Sequence, residues 1–415
     1  MPSTVITGLV AALATAGVII RPFGLPEAIW AVTGAVLLVA LQLLSPGDAL
    51  VGVAKGTDVY LFLAGMMLLS EIAREVGLFE WLAAVATRRA KGSASKLFLL
   101  VYGVGVIVTT FLSNDATAVV LTPAVAAAVH TAKAEQPLPY LLICAFIANA
   151  ASFVLPISNP ANLVIYASHM PPLLQWLPRY LLPSGLSIVG TYAVLRWTQR
   201  GALQQRIATD IPVPRLSGAG MTAALGIATT AIVLLAASAM DLQLGLPTAI
   251  AGVITAGVVL IRERRGPWKT IKGISWGVLP LVAGLFVLVQ ALDKAGLIRA
   301  LGVLLQDVAR RSAISAAWIV GVLTAVASNL MNNLPAALIA GSVVGSPHAS
   351  DSVTRAVLIG VDLGPNLSVT GSLATILWLT ALRREGLHVS STAFLKLGLL
   401  VMPPALVLAI GAALL

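Results

Sequence analysis

Apolar runs about as long as a bilayer is thick recur along this chain from its first residues to its last, separated by short polar or proline-containing connections. A stretch of roughly 20 apolar residues spans hydrocarbon as a helix. Because hydrocarbon offers backbone groups no partner outside the chain, many such runs imply a polytopic helical membrane protein. Composition agrees: 58% of the 415 residues are hydrophobic and 10% charged, with mean hydropathy +0.96, against roughly 25% charged in soluble domains. A net charge of +10 would suggest nucleic acid only in a soluble chain. Here the basic residues sit between spans, where they set orientation. The single cysteine, Cys144, excludes an internal disulfide or a thiolate cluster. No Lys or Arg precedes Arg21, so the start lacks the basic region of a secretory signal.

The pattern predicts spans near 4–20, 27–45, 57–74, 138–168 and 175–197, and again near 218–239, 246–262, 274–293, 354–382 and 391–414. Two longer apolar regions, 95–131 and 312–346, are interrupted in the middle by SND and SNLMNN and read as re-entrant hairpins. Each half then has five crossings and one hairpin: 1–197 as the first repeat, 198–217 as a cytoplasmic linker, 218–415 as the second repeat. Most of the 26 Lys and Arg, including Arg88, Arg89, Arg200, Arg262, Arg264, Arg265, Arg383 and Arg384, fall on one side. That side is expected to be cytoplasmic, with both termini outside. Counting each hairpin as two full crossings gives twelve spans and leaves the termini in place.

The halves resemble each other. SEIAREVGLFEWL (70–82) matches QALDKAGLIRAL (290–301), with Gly77 over Gly296. LSNDATAVVL (112–121) matches LMNNLPAALI (330–339), placing Asn114 and Asp115 over Asn332 and Asn333. NAASFVLPISNPAN (149–162) matches DLGPNLSVTGSLAT (362–375). The nearly constant offset indicates a duplication. An odd number of crossings per copy requires the second to be inverted. Inverted repeats with broken helices mark secondary transporters, whose site lies at the repeat interface near the midplane.

Four polar breaks stand out: Ser113-Asn114-Asp115, LPISNPAN (155–162), MNNLP (331–335) and GPNLSVTGS (364–372). Pro156, Pro160, Pro335 and Pro365 remove amide donors. Open backbone at membrane depth persists only when buried in protein or lining a wet cavity. A single Ser, Thr or Asn in a membrane helix is ordinarily packing glue, but four breaks in two matched pairs point to a site. Candidate substrate-binding residues are Ser113, Asn114, Thr117, Ser158, Asn159, Asn332, Asn333, Asn366, Ser368, Thr370 and Ser372. Asp115 and Asp362 are the acids at the breaks and the candidates for proton coupling. Their bland alternative is a carboxylate held at a helix N-terminus. Glu71, beside Arg74 near a span end, reads as an interfacial ion pair. His130, His169, His348 and His388 read as surface residues, and Trp30, Trp81, Trp176, Trp197, Trp268 and Trp276 as interface anchors. Segments 77–90 and 296–310 are amphipathic, as expected of helices along the membrane surface.

FLSNDATAVVLTP (111–123), MNNLPAALIAG (331–341) and GVDLGPNLSVTGSLATILWL (360–379), followed by LRREG (382–386), resemble the arsenite/antimonite efflux permease family (ArsB) of the ion transporter superfamily, over nearly the whole chain. Dicarboxylate symporters and a class of sodium/proton antiporters are cousins in that superfamily. The resemblance implies export of As(III) or Sb(III) through a prokaryotic inner membrane in exchange for protons, by an elevator-like movement. It allows for a soluble ATPase subunit. It carries Asn114, Asp115, Asn332, Asn333, Asp362, Asn366, Ser368, Thr370 and Ser372 over as site residues. No cofactor and no metal centre are expected, the metalloid being substrate.

The residues suit such a solute. Arsenite in neutral water is an uncharged trihydroxy acid that calls for hydrogen-bond donors and acceptors. All four breaks offer amides or hydroxyls and none contains Arg or Lys, which weighs against a dicarboxylate. As(III) favours thiolates, but one cysteine cannot form a three-thiolate trap, and Cys144 reads as a packed core residue. Alternatives are a sodium/proton antiporter or another anion transporter of the superfamily, and a channel. An aspartyl protease would need Gly-x-Gly-Asp, which the residues before Asp362 do not provide.

Overall fold

The computed structural model describes residues 3–167, 170–345 and 350–415, so the expectations for His169 and His348 lie outside the described residues. The fold is helical throughout, and the described residues contain no strand beyond an isolated bridge between Ser93 and Arg206. The first half runs α1 (Ser3–Ile20), α2 (Glu27–Ala40), α3 (Pro46–Lys55), α4 (Thr57–Glu75), α5 (Leu78–Arg89), α6 (Ala94–Phe111), α7 (Asn114–Ala116), α8 (Thr122–Thr131), α9 (Leu138–Ala150), α10 (Pro160–Tyr166) and α11 (Leu173–Thr198). A π-helical turn, Thr117–Leu121, joins α7 to α8. The second half runs α12 (Gly218–Ala239), α13 (Gly245–Glu263), α14 (Trp268–Gly273), α15 (Val278–Lys294), α16 (Leu297–Arg311), α17 (Ala313–Met331), α18 (Asn333–Val344), α19 (Asp351–Leu363), α20 (Leu373–Arg384) and α21 (Ser391–Ala413).

The element order therefore recurs. Long helix, helix, short helix and helix lead to an amphipathic helix, a broken hairpin, a broken helix and a long closing helix. Both amphipathic helices start from a left-handed glycine, Gly77 (φ 74) and Gly296 (φ 82), where a side chain would be strained. These glycines turn the chain sharply; α15 and α16 are bent by 71°.

Among the described residues, six helices are long and apolar enough to cross a bilayer, and up to eight if each bent pair counts as one span. That is fewer than the sequence pattern predicts, for local reasons. α2 has only 14 residues, and the spans expected at 138–168 and 354–382 are each divided by a break. α11 carries Pro178, Pro183 and Arg179 within its 26 residues.

Contacts between the halves follow an exchange. α4 packs against α13, where Gly65 and Gly252 let the backbones meet, and the Gly245 N–H donates to Asp58 Oδ1 at 2.7 Å. α15 packs against α2, where Gly284 lies on Ala31. The closing helices α11 and α21 lie against each other. Each broken helix likewise reaches the other half's hairpin, α10 against α18 and α20 against the π-turn and α8. Small residues at such crossings supply the close packing that drives helix association in lipid.

Trp197, Trp268 and Trp276 are exposed. Trp176 departs from the expectation of an interface anchor: it is fully buried, stacks near Tyr180 with ring centroids 4.3 Å apart, and donates to the Val154 carbonyl at 3.2 Å. Its N–H satisfies a carbonyl freed by the first broken helix. His130 and His388 are exposed, and Cys144 is buried within α9.

Candidate functional site

Each polar break ends in the start of a new helix, and a residue from the break caps it. Ser113 Oγ accepts from the Ala116 N–H at 3.3 Å, Asn159 Oδ1 from Ala161 at 3.0 Å, Asn332 Oδ1 from Leu334 at 3.4 Å, and Ser372 Oγ from Thr375 at 3.1 Å. These residue types interrupt the spans because a short polar side chain replaces the missing intrahelical acceptor. Asn332 adopts φ 73 and ψ 154, a region otherwise almost confined to glycine, so the backbone is strained at this cap.

All four capped starts face one small cavity of about 40 Å³. Its walls include Asn114 and Asp115 from the first hairpin, Asn159 and Pro160 from the first broken helix, Asn332 to Pro335 from the second hairpin, and Ser372 to Ala374 from the second broken helix. The remaining wall is Val18, Glu27, Leu63, Val278, Leu281 and Leu285, from α1, α2, α4 and α15. Helix N-termini carry partial positive charge, so four of them favour electron-rich oxygen. Asp115 and Glu27 supply the opposing charge.

The cavity thus collects six of the residues expected from sequence: Asn114, Asp115, Asn159, Asn332, Asn333 and Ser372. The others stand behind or beside it. Ser113 faces a neighbouring cavity. Thr117 shares a hydrogen bond with Thr109 at 2.8 Å inside the hairpin. Ser158 donates to the Thr110 carbonyl at 3.0 Å, joining the first break to the first hairpin. Asn366 accepts from Asn149 Nδ2 at 2.9 Å and donates to the Phe146 carbonyl at 3.0 Å, joining the halves. Ser368 and Thr370 both donate to Asn329, at 2.7 and 3.1 Å. Asn329 in turn donates to the Gly364 carbonyl at 2.8 Å. The Asn333 N–H donates to the Gly371 carbonyl at 2.9 Å, tying the second hairpin tip to its broken helix.

Asp362 is fully buried outside the cavity wall. Its Oδ1 accepts from Asn159 Nδ2 at 2.7 Å, while Oδ2 has no hydrogen-bond partner among the described residues. Asp115 is half-buried and lines two cavities, the small one and a second of about 90 Å³. That second cavity also holds Glu71, which is 6% exposed. Glu71 does pair with Arg74, but as a buried group rather than an interfacial one.

Two features of the site were missed, one lining the cavity and one standing behind it. Glu27, ion-paired with Arg21, lines the small cavity together with Asp115. Its signal in the sequence was faint: an acid following RPFGLP at the start of an apolar run. Asn329 organises the fourth break, and its position just upstream of MNNLP was the available clue.

The family model for citrate transporters (CitMHS) matches residues 11–360. The chain belongs to the citrate transporter family. Like its family, this citrate transporter family member is built to move a solute across a membrane. It is similar to the arsenical pump membrane protein of Escherichia coli strain K12, with 28% identity over 98% of this chain and 97% of that protein. The arsenical pump membrane protein of Yersinia enterocolitica is 27% identical over 84% of this chain and 83% of its own. An uncharacterized transporter of Mycobacterium tuberculosis, Rv2684, is 23% identical over 91% of both. Among solved structures, the Alcanivorax borkumensis YdaH transporter superposes with TM-score 0.58 at 17% identity, covering 88% of this chain and 86% of that one. Neisseria gonorrhoeae MtrF superposes with TM-score 0.57 at 12% identity, covering 100% and 94%. At these identities the two structures share the fold of the family member.

Proposed function

We propose that this protein exports arsenite and antimonite from the cytoplasm in exchange for protons. The observation that carries the reading is the cavity: four capped helix starts and the side chains of Asn114, Asn159, Asn332, Asn333 and Ser372, with no Lys or Arg in its wall among the described residues. A volume of about 40 Å³ accommodates roughly three water-sized groups at about 10–15 Å³ each. A trihydroxy metalloid presents three such groups, whereas a tricarboxylate is much larger and would leave its charge without a guanidinium or ammonium partner. The names of the similar arsenical pump membrane proteins agree with this choice.

The two halves, 1–197 and 218–415 joined by 198–217, act in this reading as inverted repeats. The exchange packing of α2 with α15 and α4 with α13 supports that arrangement. Hairpins and broken helices move as a unit against α1, α2, α4 and their counterparts, carrying the cavity in an elevator-like step. The face bearing Arg88, Arg89, Arg262, Arg264 and Arg265 is cytoplasmic and both termini are outside. Asp115 and Asp362 take up the protons, because a bare buried charge costs several kcal/mol to carry across hydrocarbon.

Arsenite uptake into everted vesicles tests the proposal. A proton gradient should drive accumulation in vesicles containing the protein and not in vesicles lacking it. Equal uptake in both, with the protein present in the membrane, refutes it.

One observation favours a second reading. Among the described residues, the buried oxygens Asn149 Oδ1, Asn162 Oδ1 and Asp362 Oδ2 have no donor within hydrogen-bond range. Oxygen acceptors including a carboxylate suit a hard cation, as in a sodium/proton antiporter. Sodium-dependent proton flux in the absence of metalloid would favour that activity.

A further inference from the structure

We infer that Glu71 is the residue through which a proton leaves Asp115 toward the basic face of the protein. The inference rests on the proposed proton coupling and adds a second acid to its route. The cavity of about 90 Å³ lies between the first hairpin, α4 and the connection from α14 to α15, and both carboxylates line it. Its other polar side chains are the hydroxyls of Ser70, Ser113 and Ser275, with no amide among them. It differs in this from the amide-lined solute cavity. At about 10–15 Å³ per water, it has room for a short water chain between the acids.

The surroundings of Glu71 fit a group that accepts a proton and passes it on. Gly273 faces the carboxylate so closely that a Cβ there would overlap it, so this position leaves space for the acid. Arg74, on the same helix, pairs with Glu71, and its side chain is 43% exposed, so the ion pair leads from the cavity toward solvent. The other charged groups nearby are Glu75 on α4, which accepts from Thr270 at 2.8 Å and lies 4.0 Å from Lys269 of α14, and Glu80 on α5.

The other half shows what gives the route its direction. Gln290 stands before Gly296 at the same spacing as Glu71 before Gly77. Gln290 lines a larger cavity of about 540 Å³, against the second hairpin, and accepts from Lys55 Nζ at 2.7 Å. An amide cannot take up a proton at ordinary pH. At the matched positions a proton acceptor therefore stands on one face only; the acids that line the larger cavity, Asp58 and Asp293, lie elsewhere on its wall, with Asp58 holding the Gly245 N–H.

In the step, the O–H bond of protonated Asp115 breaks and its proton enters the water chain. A proton from the other end of the chain forms the O–H bond on Glu71, leaving Asp115 a carboxylate. Neutral Glu71 releases Arg74, gives its proton to bulk water and pairs again.

Purified protein in liposomes with an internal pH dye, driven by an arsenite gradient, tests the inference. Glu71→Gln should slow proton-coupled export by about tenfold or more, the scale of a lost proton-transfer group, while arsenite binding is unchanged. Formate or azide, small weak acids, should restore the rate, and Glu71→Asp should keep most of it. Arg74→Gln should retain coupling with an altered pH profile. A Glu71→Gln variant with parental rate and parental pH profile overturns the inference while leaving the coupling intact. A loss that weak acids do not rescue and that Arg74→Gln reproduces also overturns it, assigning the pair to structure. Absent proton counterflow in the parental protein overturns both the coupling and the inference.

Discussion

Asn159 donates its side-chain amide to Asp362 Oδ1 at 2.7 Å, across the boundary between the two halves. The amide cannot turn around, because Asn159 Oδ1 already accepts from the Ala161 N–H at 3.0 Å. An acid outside the small cavity is thereby one hydrogen bond from a residue that lines it.

Replacing Asp362 separates its structural role from its proposed role in proton coupling. Asp362→Ala strands a buried amide donor, at a cost of about 1–3 kcal/mol, and should lower the unfolding midpoint in detergent. Asp362→Asn keeps an acceptor for Asn159 and should fold and bind arsenite like the parent, yet lose proton-driven export. A variant exporting at the parental rate with the same pH dependence would remove Asp362 from the coupling.

The hairpin-tip amides should act first on binding. Asn114→Ala and Asn332→Ala each remove a cavity-lining amide, worth about 0.5–1.5 kcal/mol. The dissociation constant for arsenite, measured on purified protein, should rise accordingly. Asn332→Ala should also lose about 1 kcal/mol of stability, since the residue caps α18.

Cys144→Ala should keep most transport. The thiol is buried in α9 and absent from the cavity wall. Its loss should cost no more than about 1 kcal/mol of stability, the scale of a small truncation in a packed core. Abolished flux in a well-folded variant would require a thiol relay instead.

Two glycines should respond in opposite ways. On α19, a Cβ at Gly360 would overlap the Gly321 carbonyl and the Thr324 hydroxyl of α17. Gly360→Leu should destabilise by about 1–3 kcal/mol or more and impair the second hairpin. Gly257 of α13 has open space around it, and Gly257→Ala should be neutral or stabilising by up to about 1 kcal/mol. Thermal unfolding of both variants beside the parent checks the contrast.

The positions of the breaks were legible because their residues do local work. Ser113, Asn159, Asn332 and Ser372 cap helices, and Gly77 and Gly296 take dihedrals other residues avoid. Which polar side chains share the cavity was not legible. Within a helix the 3.6-residue period tells which side chains share a face. Inside a break the backbone follows no period, so neighbours such as Thr370 and Ser372 point to different partners. Glu27 was missed and Trp176 misjudged for a related reason. Both stand at span boundaries, where composition suggests water or headgroups, but other elements fold over them. Length and composition alone return fewer crossings, because α2 is short and two spans are split.

The exchange of α2 with α15 and of α4 with α13 also shapes how the protein is made. When the first half has left the ribosome, Ala31 and Gly65 still lack the neighbours they are shaped for, because Gly284 and Gly252 have not been synthesised. Two inserted helices wait in the bilayer with small-residue faces open, so final assembly follows insertion. A chain truncated in the connection after α11 would present those faces permanently, to lipid and to membrane quality control. Supplying residues 218–415 as a separate polypeptide would give them their partners back.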